Sequence, residues 1–577
     1  MYILGVHTGS HDASACLFRD FELVAAVSLE RLTRVKNAGV SVEKPLPDRA
    51  IDEVLSIGGI GRGDVDVVAA SRAWFDYQDY RLSGLAALEQ SWWAARGRRR
   101  LRLLDHMMRK EGAKRADDVF RADAFLARAG FAKARLHFYN HHLAHGLAAY
   151  FYSEFDAALI HTADGTGDGV AYSARIGRRE GIELLFGGDD EGIVPRKEAN
   201  SIGLMYAGFT RALGFTPNRH EGKLVGLAAH GAPVAASRVL ECFEVDETGR
   251  IHAKFRKNRD ISDMASEICR GLSPGDAAAS IQAATEELMR RSVEIALRRS
   301  GLKALAVSGG VYANVRMNRH LLETTAAEAI FVFPAMGDDG LPVGGGLDYL
   351  LQHHGAKVWS ANRRKLTSML LGRDHAADAE ALARDYPQLT LSPLRDAEEV
   401  VAAAVDALVA GKAVGLHEGR MEFGPRALGA RSILASPARR DINDSLNARL
   451  SRSDFMPFAP VALAEYAGEP FDIRPGAAHS ERFMTITCDV KPHWRDRIPA
   501  VTHLDGSARP QLVDAEPRTL YRRILELWRE RTGVPVLVNT SFNVHEEPIV
   551  DTPSQALDAL AADRVDMLIV GGRIFER

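Results

Sequence analysis

The sequence contains little cysteine. Four cysteines occur among 577 residues, at Cys16, Cys242, Cys269 and Cys488, and no two of them form a Cys-x-x-Cys pair. Neither a disulfide framework nor a zinc ribbon is indicated, because both need cysteines at close, paired spacings. Scattered thiols fit a protein of the reducing cytosol, so a cytoplasmic location is expected.

The sequence also lacks an excess of charge of one sign and a long apolar run. Lys and Arg together number 73 and Asp and Glu 76, which gives a net charge of −3. This balance gives no general attraction to nucleic acid or to an anionic membrane, so neither is an expected partner. The segment from Met1 to His7 carries no basic residues ahead of an apolar core, and no run is long enough to span a bilayer. We therefore expect no signal peptide and no membrane association.

Two histidines at helical spacing are the first sign of chemistry. His141 and His145 would lie on one face of a helix, because residues i and i+4 share a face. Asp164 follows an apolar, β-prone segment at 157–163, and Asp338 lies in a second polar turn. Two imidazoles with carboxylates at strand ends are a common ligand set for a divalent transition metal. The alternative, surface histidines beside an ordinary turn, stays open on spacing alone.

The chain opens with a strand, a polar turn and a hairpin. The strand covers residues 2–6 and the turn residues 9–12, and the segment 157–178 repeats the pattern. A duplicated strand–turn–strand unit is typical of actin-like ATPase folds, in which the turn faces phosphate. The Gly-rich turn of the second copy, with Gly165 and Thr166, is therefore a candidate nucleotide contact.

A further strand and glycine pair extend the nucleotide hypothesis. The strand at 304–307 meets Gly309 and Gly310, and Asn314 follows on a helical pattern. A strand, a glycine pair and a helix N-terminus form a place for the ribose or phosphate of a nucleotide. A glycine pair alone is a weak signal, but its position shortly before Asp338 strengthens it.

Two charged segments could bind substrate. The run at 30–36, which ends in Lys36, is either a solvated loop or an anion clamp. Glu221 and Lys223 could touch the acceptor substrate, or they could cap the helix that begins near Leu224.

The length of 577 residues predicts two or more domains. We expect a first domain at 1–357 with a helical insertion at about 74–134, a linker at 358–395 and a second domain at 396–577. Within the insertion, Trp92 and Trp93 precede a basic run from Arg96 to Arg102. Such a run can bind nucleic acid, but its helical pattern with leucines favours a solvated helix face.

The second domain concentrates arginine among glycines and strand ends. Arginine suits planar, doubly hydrogen-bonded anions such as phosphate, and the strand at 536–543 ends in hydroxyl and amide groups. These features predict a phosphate or nucleotide pocket, with structural salt bridging as the alternative. The candidate contacts are Arg420, Arg426, Arg452, Arg509, Ser541 and Asn543.

Several motifs together resemble a known family. They are Gly419-Arg-Met-Glu-Phe-Gly-Pro-Arg-Ala-Leu-Gly429, Asn539-Thr-Ser-Phe-Asn543 and His141-His-Leu-Ala-His145. The chain resembles the O-carbamoyltransferases of antibiotic and nodulation-factor biosynthesis over nearly its whole length. The resemblance implies an α/β protein with two parts: a Kae1-like domain with a duplicated actin-like fold and a bound metal, usually iron(II), followed by a YrdC-like domain.

The resemblance also implies a reaction and its partners. Carbamoyl phosphate and ATP, the latter with Mg²⁺, would form carbamoyl adenylate at the YrdC-like domain. The Kae1-like domain would then transfer the carbamoyl group to a hydroxyl of a small-molecule acceptor. His141, His145, Asp164 and Asp338 match the metal ligands, which hold Fe(II) or another divalent metal. Formation of a homodimer is left open.

A general base is needed as the hydroxyl attacks, and His11 is the candidate because it lies on the first phosphate-side turn. His11 could instead only hydrogen-bond within that turn. Arg426, Arg509 and Ser541 match contacts to carbamoyl phosphate or the adenylate.

The chain departs from the family at two positions. Leu450 and Met456 stand where the family usually has Lys and Arg, and Arg449 could compensate for the first. If both cations belong to the anion site, Leu450→Lys with Met456→Arg is expected to strengthen carbamoyl phosphate binding. The departure keeps a second hypothesis open, a degenerate nucleotide-binding protein that supports a partner enzyme. A tRNA threonylcarbamoyl-type protein is a third.

Overall fold

A computed structural model gives the structure of the chain. It describes residues 1–41, 44–72, 75, 79–81, 83–84, 87–88, 116–188, 199–375, 378–451 and 458–577. The basic run from Arg96 to Arg102, with Trp92 and Trp93, lies outside the described residues, as do Arg452 and Met456.

The first sheet has five strands in the order β3-β2-β1-β4-β5. β1 is antiparallel to β2 and parallel to β4, and β4 is parallel to β5. Apolar residues dominate β1, β2 and β4, as expected for strands with both faces covered. The strands are β1 (Tyr2–His7), β2 (Ser14–Arg19), β3 (Glu22–Ser28), β4 (Val67–Ser71) and β5 (Arg135–Tyr139).

The second sheet repeats this arrangement. Its order is β12-β11-β6-β7-β8, with an antiparallel meander on one side and parallel strands on the other. The duplication predicted from the sequence is therefore present in a mixed α/β fold. The strands in this part of the chain are β6 (Ala158–Gly167), β7 (Val170–Arg178), β8 (Gly181–Phe186), the separate hairpin β9 (Phe243–Val245) and β10 (Ile251–Ala253), β11 (Ala304–Ser308) and β12 (Ala329–Val332).

Helices cover the two sheets. The longest, α9, begins where the Ser273 side chain accepts a hydrogen bond from the backbone N–H of Asp276, and it ends at Gly301 in the left-handed region. No described helix is both long and apolar enough to cross a membrane. The helices are α1 (Leu29–Thr33), α2 (Asp48–Ile57), α3 (Ala122–Arg128), α4 (His141–Tyr152), α5 (Ile202–Ala212), α6 (Glu221–Leu227), α7 (Ala236–Leu240), α8 (Asn258–Cys269), α9 (Pro274–Ser300), α10 (Val315–Thr324) and α11 (Leu341–Ala361).

Helices α4 and α11 pack in the apolar core that both sheets share. A Cβ at Gly344 would lie only 1.8 Å from the carbonyl oxygen of Ala144, so the two backbones touch where glycine leaves room. This contact fixes the helix that carries the paired histidines against the core.

The second lobe is built on an eight-stranded sheet in the order β14-β25-β24-β15-β17-β23-β18-β22. β13 pairs with β16, and β19, β20 and β21 form a small sheet. The strands are β13 (Leu370–Asp374), β14 (Thr390–Leu391), β15 (Val414–His417), β16 (Arg420–Glu422), β17 (Arg431–Ala435), β18 (Ala459–Leu463), β19 (Phe471–Asp472), β20 (Cys488–Val490), β21 (Ser507–Ala508), β22 (Gln511–Val513), β23 (Val536–Ser541), β24 (Met567–Val570) and β25 (Arg573–Glu576). The helices are α12 (Ala379–Asp385), α13 (Ala397–Val409), α14 (Asp441–Arg449), α15 (Ala478–Glu481), α16 (Pro492–Arg495), α17 (Leu520–Thr532) and α18 (Pro553–Ala561).

The expected linker at 358–395 differs from the structure. Trp359 is 1% exposed in the core of the first lobe, and its indole N–H donates to the carbonyl of Leu347. β13 and β14 pair with strands of the second lobe, and α12 packs in its core. These short elements carry too few apolar residues to produce a clear period in the sequence. The expected insertion lies between β4 and β5, and its described part includes the turn Ala116–Val119 and α3.

Arginines of the 30–36 run join the two lobes. Arg31 is 2% exposed and donates to the carbonyl of Gly424 at 2.7 Å. Arg34 donates to the carbonyls of Pro548 and Ile549 at 2.7 and 2.6 Å. This segment is therefore an interlobe connection, and the solvated-loop alternative is wrong for Arg31.

Candidate functional site

Helix α4 presents two histidines to the edge of the second sheet. The Asn140 side chain caps the helix by accepting from the backbone N–H of Leu143 at 2.8 Å. The Asp168 carboxylate accepts from the backbone N–H of His141 at 2.8 Å, where negative charge also favours the helix N-terminus. Both contacts fix the first turn, from which His141 and His145 project.

Four predicted ligands meet at this point. The ligand atoms of His141, His145, Asp164 and Asp338 all lie within 4.8 Å of one another. Nε2 of His141 and Nε2 of His145 are 3.1 and 3.2 Å from Oδ2 of Asp164. Both nitrogens are 3.5 Å from Oδ1 of Asp338. Asp338 reaches the group from a single-turn helix, Asp338–Gly340, that leads into α11.

The donor set and the charges fit a divalent cation. Two imidazole nitrogens and two carboxylates suit a first-row transition metal. Burial opposes ionisation of Asp164, but hydrogen bonds from His141 and His145 outweigh it and hold its pKa well below the usual value. For His141, burial lowers the pKa, and the nearby Asp338 and Asp164 carboxylates overcome this and raise it to about 9. The two carboxylates thus favour a positive charge at this site.

The surrounding histidines are not surface groups. His145 is 1% exposed, and its Nδ1 lies 3.3 Å from Oγ of Ser308. His142 is fully buried, with its two nitrogens bonded to Oγ1 of Thr162 and the carbonyl of Val170. The surface-histidine alternative is therefore wrong, and His142 supports the helix while its two neighbours face the carboxylates.

The predicted nucleotide residues lie beside this cluster. Gly309 has φ 106°, and a Cβ there would lie 2.2 Å from the carbonyl oxygen of Ala163, so the turn requires glycine. A Cβ at Gly310 would lie 2.9 Å from Oδ1 of Asp164. The backbone of this turn therefore approaches Asp164 closely.

The other residues predicted to contact the nucleotide, Asn314, Gly165 and Thr166, have different surroundings from those expected. The Asn314 side chain caps α10 by accepting from the backbone N–H of Met317 and bonds to Gln282, so its amide serves local structure. Gly165 donates its N–H to Oδ1 of Asp164 at 2.6 Å, and Thr166 is exposed. Both belong to β6, because the strand continues to Gly167 instead of ending at Asp164. The reverse turn comes later than predicted.

His11 has a charged partner. Its Nδ1 lies 3.0 Å from Oδ2 of Asp12, and this hydrogen bond raises the pKa of His11 to about 9. A base must be unprotonated at the working pH. In the metal-free protein this raised pKa favours the hydrogen-bonding alternative over the general base.

A cavity of about 330 Å³ lies between the lobes. It gathers most of the residues predicted to bind the acceptor and the phosphate groups. Glu221 does not line it; its carboxylate instead accepts from the backbone N–H of Asn218 at 2.7 Å. The predicted residues that line the cavity are Lys36, Lys223, Arg426, Arg509, Ser541 and Asn543.

Two arginines line this cavity without an ion-pair partner among the described residues. Burial lowers the pKa of Arg426 to about 10, and burial together with the Arg426 charge lowers that of Arg509 well below its usual value. In the part of the chain that the structure describes, neither guanidinium forms an ion pair, and Nε of Arg426 has no hydrogen-bond partner. Two neighbouring, partly buried cations repel each other until an anion lies between them. The pair is therefore suited to a phosphate.

Arg420 has a different place. Its guanidinium donates to the carbonyls of Gly372, Leu371 and Val24, and it does not line the cavity. It holds β16 against β13 and the first lobe, so the prediction that it binds phosphate is not supported.

Leu450, which stands where the family resemblance led us to expect a lysine, has a structural role. Leu450 is fully buried in the apolar core of the second lobe, where a lysine would be an unpaired buried charge. Arg449 is bonded to Asp563 and Asp566, so it does not compensate for a cation in the cavity. The premise that a lysine at position 450 would belong to the anion site is therefore not supported. Arg452 and Met456 lie outside the described residues.

A second histidine cluster joins the lobes at the cavity. His220, His545 and Glu546 bring ligand-type atoms within 4.8 Å of one another. The backbone N–H of Thr216 donates to Nδ1 of His220 at 3.0 Å, so the proton lies on Nε2, which donates to Glu546. This tautomer favours an interlobe hydrogen bond over a metal ligand.

Sequence patterns did not indicate two residues of the site. In the sequence, Asp168 is only one residue of a Gly-rich turn. In the structure it has a φ of 48°, and its carboxylate contacts the N-terminus of α4. His7 ends β1 and is 5% exposed beside Asp338. A histidine at the end of a strand carries no distinctive spacing, so only the fold brings His7 to the cluster.

Comparisons with known proteins agree across the chain. Residues 2–347 match the family model described as carbamoyltransferase N-terminus, and residues 405–577 match that described as carbamoyltransferase C-terminus. The chain is 31% identical over 584 residues to nodulation protein NolNO of Sinorhizobium fredii, covering 99% of this chain and 80% of that protein. It is 31% identical to nodulation protein NolO of Bradyrhizobium diazoefficiens, covering 75% of this chain and 78% of that protein.

Two solved structures show a distant likeness to the chain. Component A of (R)-2-hydroxyglutaryl-CoA dehydratase from Acidaminococcus fermentans has a TM-score of 0.32 at 15% identity, covering 62% of this chain and 99% of that one. HypF from T. kodakarensis has a TM-score of 0.31 at 15% identity, covering 61% of this chain and 48% of that one.

Proposed function

The chain belongs to the carbamoyltransferase family, and on that premise we propose that it is an ATP-dependent O-carbamoyltransferase acting on a hydroxylated small molecule. The observation that carries the proposal is the Arg426–Arg509 pair, which has no ion-pair partner among the described residues, in a cavity shared by both lobes. The first lobe would be Kae1-like, with an actin-like duplication, and the second YrdC-like. The reaction would take place in the cytoplasm.

The proposed chemistry has three balanced steps. Water cleaves carbamoyl phosphate to carbamate and phosphate. A carbamate oxygen then attacks the α-phosphorus of ATP, bound with Mg²⁺, and pyrophosphate leaves as carbamoyl adenylate forms. Finally the acceptor hydroxyl attacks the carbamoyl carbon, the bond to AMP breaks, and a carbamate ester, AMP and one proton result.

The second lobe would carry out the first two steps. Arg426 and Arg509 would neutralise the phosphate charge that develops as pyrophosphate leaves, while Ser541 and Asn543 line the same cavity. Lys36 and Lys223 line the first-lobe side, where they would attract the adenylate phosphate. Because the two groups face one cavity, the adenylate would pass between lobes without release into bulk water.

The first lobe would carry out the transfer. His141, His145, Asp164 and Asp338 would hold Fe(II) or another divalent metal, which would supply Lewis-acid polarisation when bound. Gly309 and Gly310 would let the nucleotide approach Asp164 closely. We propose that His11, as a cation, donates a hydrogen bond to the phosphate instead of removing the hydroxyl proton.

Mass spectrometry of reactions with a panel of hydroxylated acceptors tests this function. Each reaction contains the full chain, ATP, Mg²⁺, carbamoyl phosphate and one acceptor. We expect a carbamate ester of at least one acceptor, formed together with AMP. Formation of ADP instead of AMP, or carbamoylation that does not need ATP, would contradict the adenylate route.

A further inference from the structure

His7 is a buried histidine whose ring makes no hydrogen bond. It ends β1, is 5% exposed, and neither Nδ1 nor Nε2 has a partner among the described residues. Buried polar groups are nearly always paired, so an unpaired imidazole needs an explanation. None of the motifs discussed above includes this residue.

Two other buried histidines of the same lobe show what a purely structural histidine looks like here. His142 uses both ring nitrogens, bonding to Thr162 and Val170. His161 also uses both, bonding to the hydroxyls of Tyr312 and Ser292. His7 differs from both, because its ring lies beside a carboxyl group that the histidine cluster also contacts.

That group is Asp338. Nε2 of His7 lies 3.6 Å from Oδ2 of Asp338, whereas Oδ1 of the same carboxylate faces Nε2 of His141 and Nε2 of His145 at 3.5 Å. The two oxygens of Asp338 are thus divided between the histidine cluster and His7. The 3.6 Å separation is slightly longer than a hydrogen bond.

The opening turn holds the ring in this position. A Cβ at Gly9 would lie 2.2 Å from Nε2 of His7, so the turn packs on the ring edge and only glycine fits there. The ring is therefore confined between the turn and Asp338.

We infer that His7 is a positioning residue for Asp338: its imidazole N–H orients Oδ2, so that Oδ1 is presented to a cation held with His141, His145 and Asp164. This inference rests on the metal site of the proposed function. Hydrogen-bond donors to a ligating carboxylate fix its orientation, and their loss commonly weakens metal binding by about 10–100-fold. His7 is not assigned as a ligand itself.

Cation affinity of the full chain tests the inference without any need for turnover. Co²⁺ is titrated in competition with a chromogenic chelator, and the visible spectrum of bound Co²⁺ reports its coordination. We expect His7→Phe to bind Co²⁺ about 10–100-fold more weakly than the wild type, and His7→Gln, which keeps an N–H donor, to stay near wild type. His479→Phe removes a buried histidine bonded to the Leu366 carbonyl outside the cluster and is expected to leave affinity unchanged.

The outcomes separate the inference from its premise. If the wild type binds no cation, the metal site and the inference both fail. If the wild type binds Co²⁺ and His7→Phe binds it equally well with the same spectrum, the metal site stands and the role of His7 is refuted. His7→Leu, which is smaller and also has no N–H donor, replaces His7→Phe if the latter does not fold, and the same loss or retention of affinity decides between the two results.

Discussion

Replacing Arg509 by Ala should stabilise the ligand-free protein while weakening its ligand binding. Burial lowers the pKa of the neighbouring Arg426 by more than two units, to about 10. At 1.36 kcal/mol per unit, this shift corresponds to roughly 3 kcal/mol of unfavourable free energy for one buried charge. The pKa of Arg509 is lowered by burial and then by the charge of Arg426, so its removal relieves both effects.

The expected stabilisation is smaller than that upper figure, because the truncated side chain also loses some packing. Since Arg509 lines a cavity, that loss is limited. We expect a gain of about 1–3 kcal/mol, which would raise Tm by roughly 2–10 °C for a domain of this size. Removal of one charge-assisted contact should weaken carbamoyl phosphate binding by about 1.5–3 kcal/mol, or on the order of 10–150-fold.

Thermal melting with and without carbamoyl phosphate measures both effects. Arg509→Lys keeps the charge, so its Tm without ligand should remain near that of the wild type. Arg449→Ala is the second control: it breaks the ion pair with Asp566 outside the cavity, so it should lower Tm and leave the ligand-induced shift intact. If Arg509→Ala lowers Tm without ligand, or keeps the full ligand-induced shift, the anion-pair reasoning is refuted. Transfer from preformed carbamoyl adenylate should survive in Arg509→Ala.

Three further predictions follow from the burial of single residues. His145→Ala should lose most of the bound divalent metal, measured by elemental analysis of purified protein, and an undiminished metal content would rule out the cluster. Leu450→Lys should destabilise the second lobe by about 3 kcal/mol or more in urea unfolding, with Leu450→Met as the near-neutral control; an unchanged midpoint would contradict the buried site. Burial raises the pKa of Glu481 from 4.5 to about 8, so between these values the folded state keeps a proton that the unfolded state has lost, and stability falls as pH rises. Glu481→Gln should remove that fall, worth roughly 2–5 kcal/mol by pH 8.5, in melting curves from pH 4 to 8.5, whereas parallel pH profiles would refute it.

The close grouping of the two histidines with Asp164 was predictable, because the spacing of these residues in the sequence indicated it. His141 and His145 share a helix face, and Asp164 follows an apolar segment whose strand character was clear. The duplication was equally predictable, since strand–turn–strand patterns recur along the chain. His141, His145 and Asp164 are near in sequence, as are the residues within each strand–turn–strand unit, whereas Asp338 joins the cluster from a distant turn.

Other features depend on contacts across several hundred residues. Arg420 belongs to an arginine-rich motif, yet only the position of Val24 shows that it joins the lobes. Leu450 stands where the family resemblance led us to expect a lysine, yet it is buried in the core. His7 is brought to Asp338 by sheet and helix packing. Such long-range contacts have no periodic signature in one sequence.

Exchange of labelled pyrophosphate into ATP is the most direct test of the central claim. If the second lobe makes carbamoyl adenylate, the full chain should catalyse this exchange without any acceptor, and only when carbamoyl phosphate is present. Arg509→Ala should reduce it. Exchange that is absent, or that proceeds equally well without carbamoyl phosphate, would contradict the account.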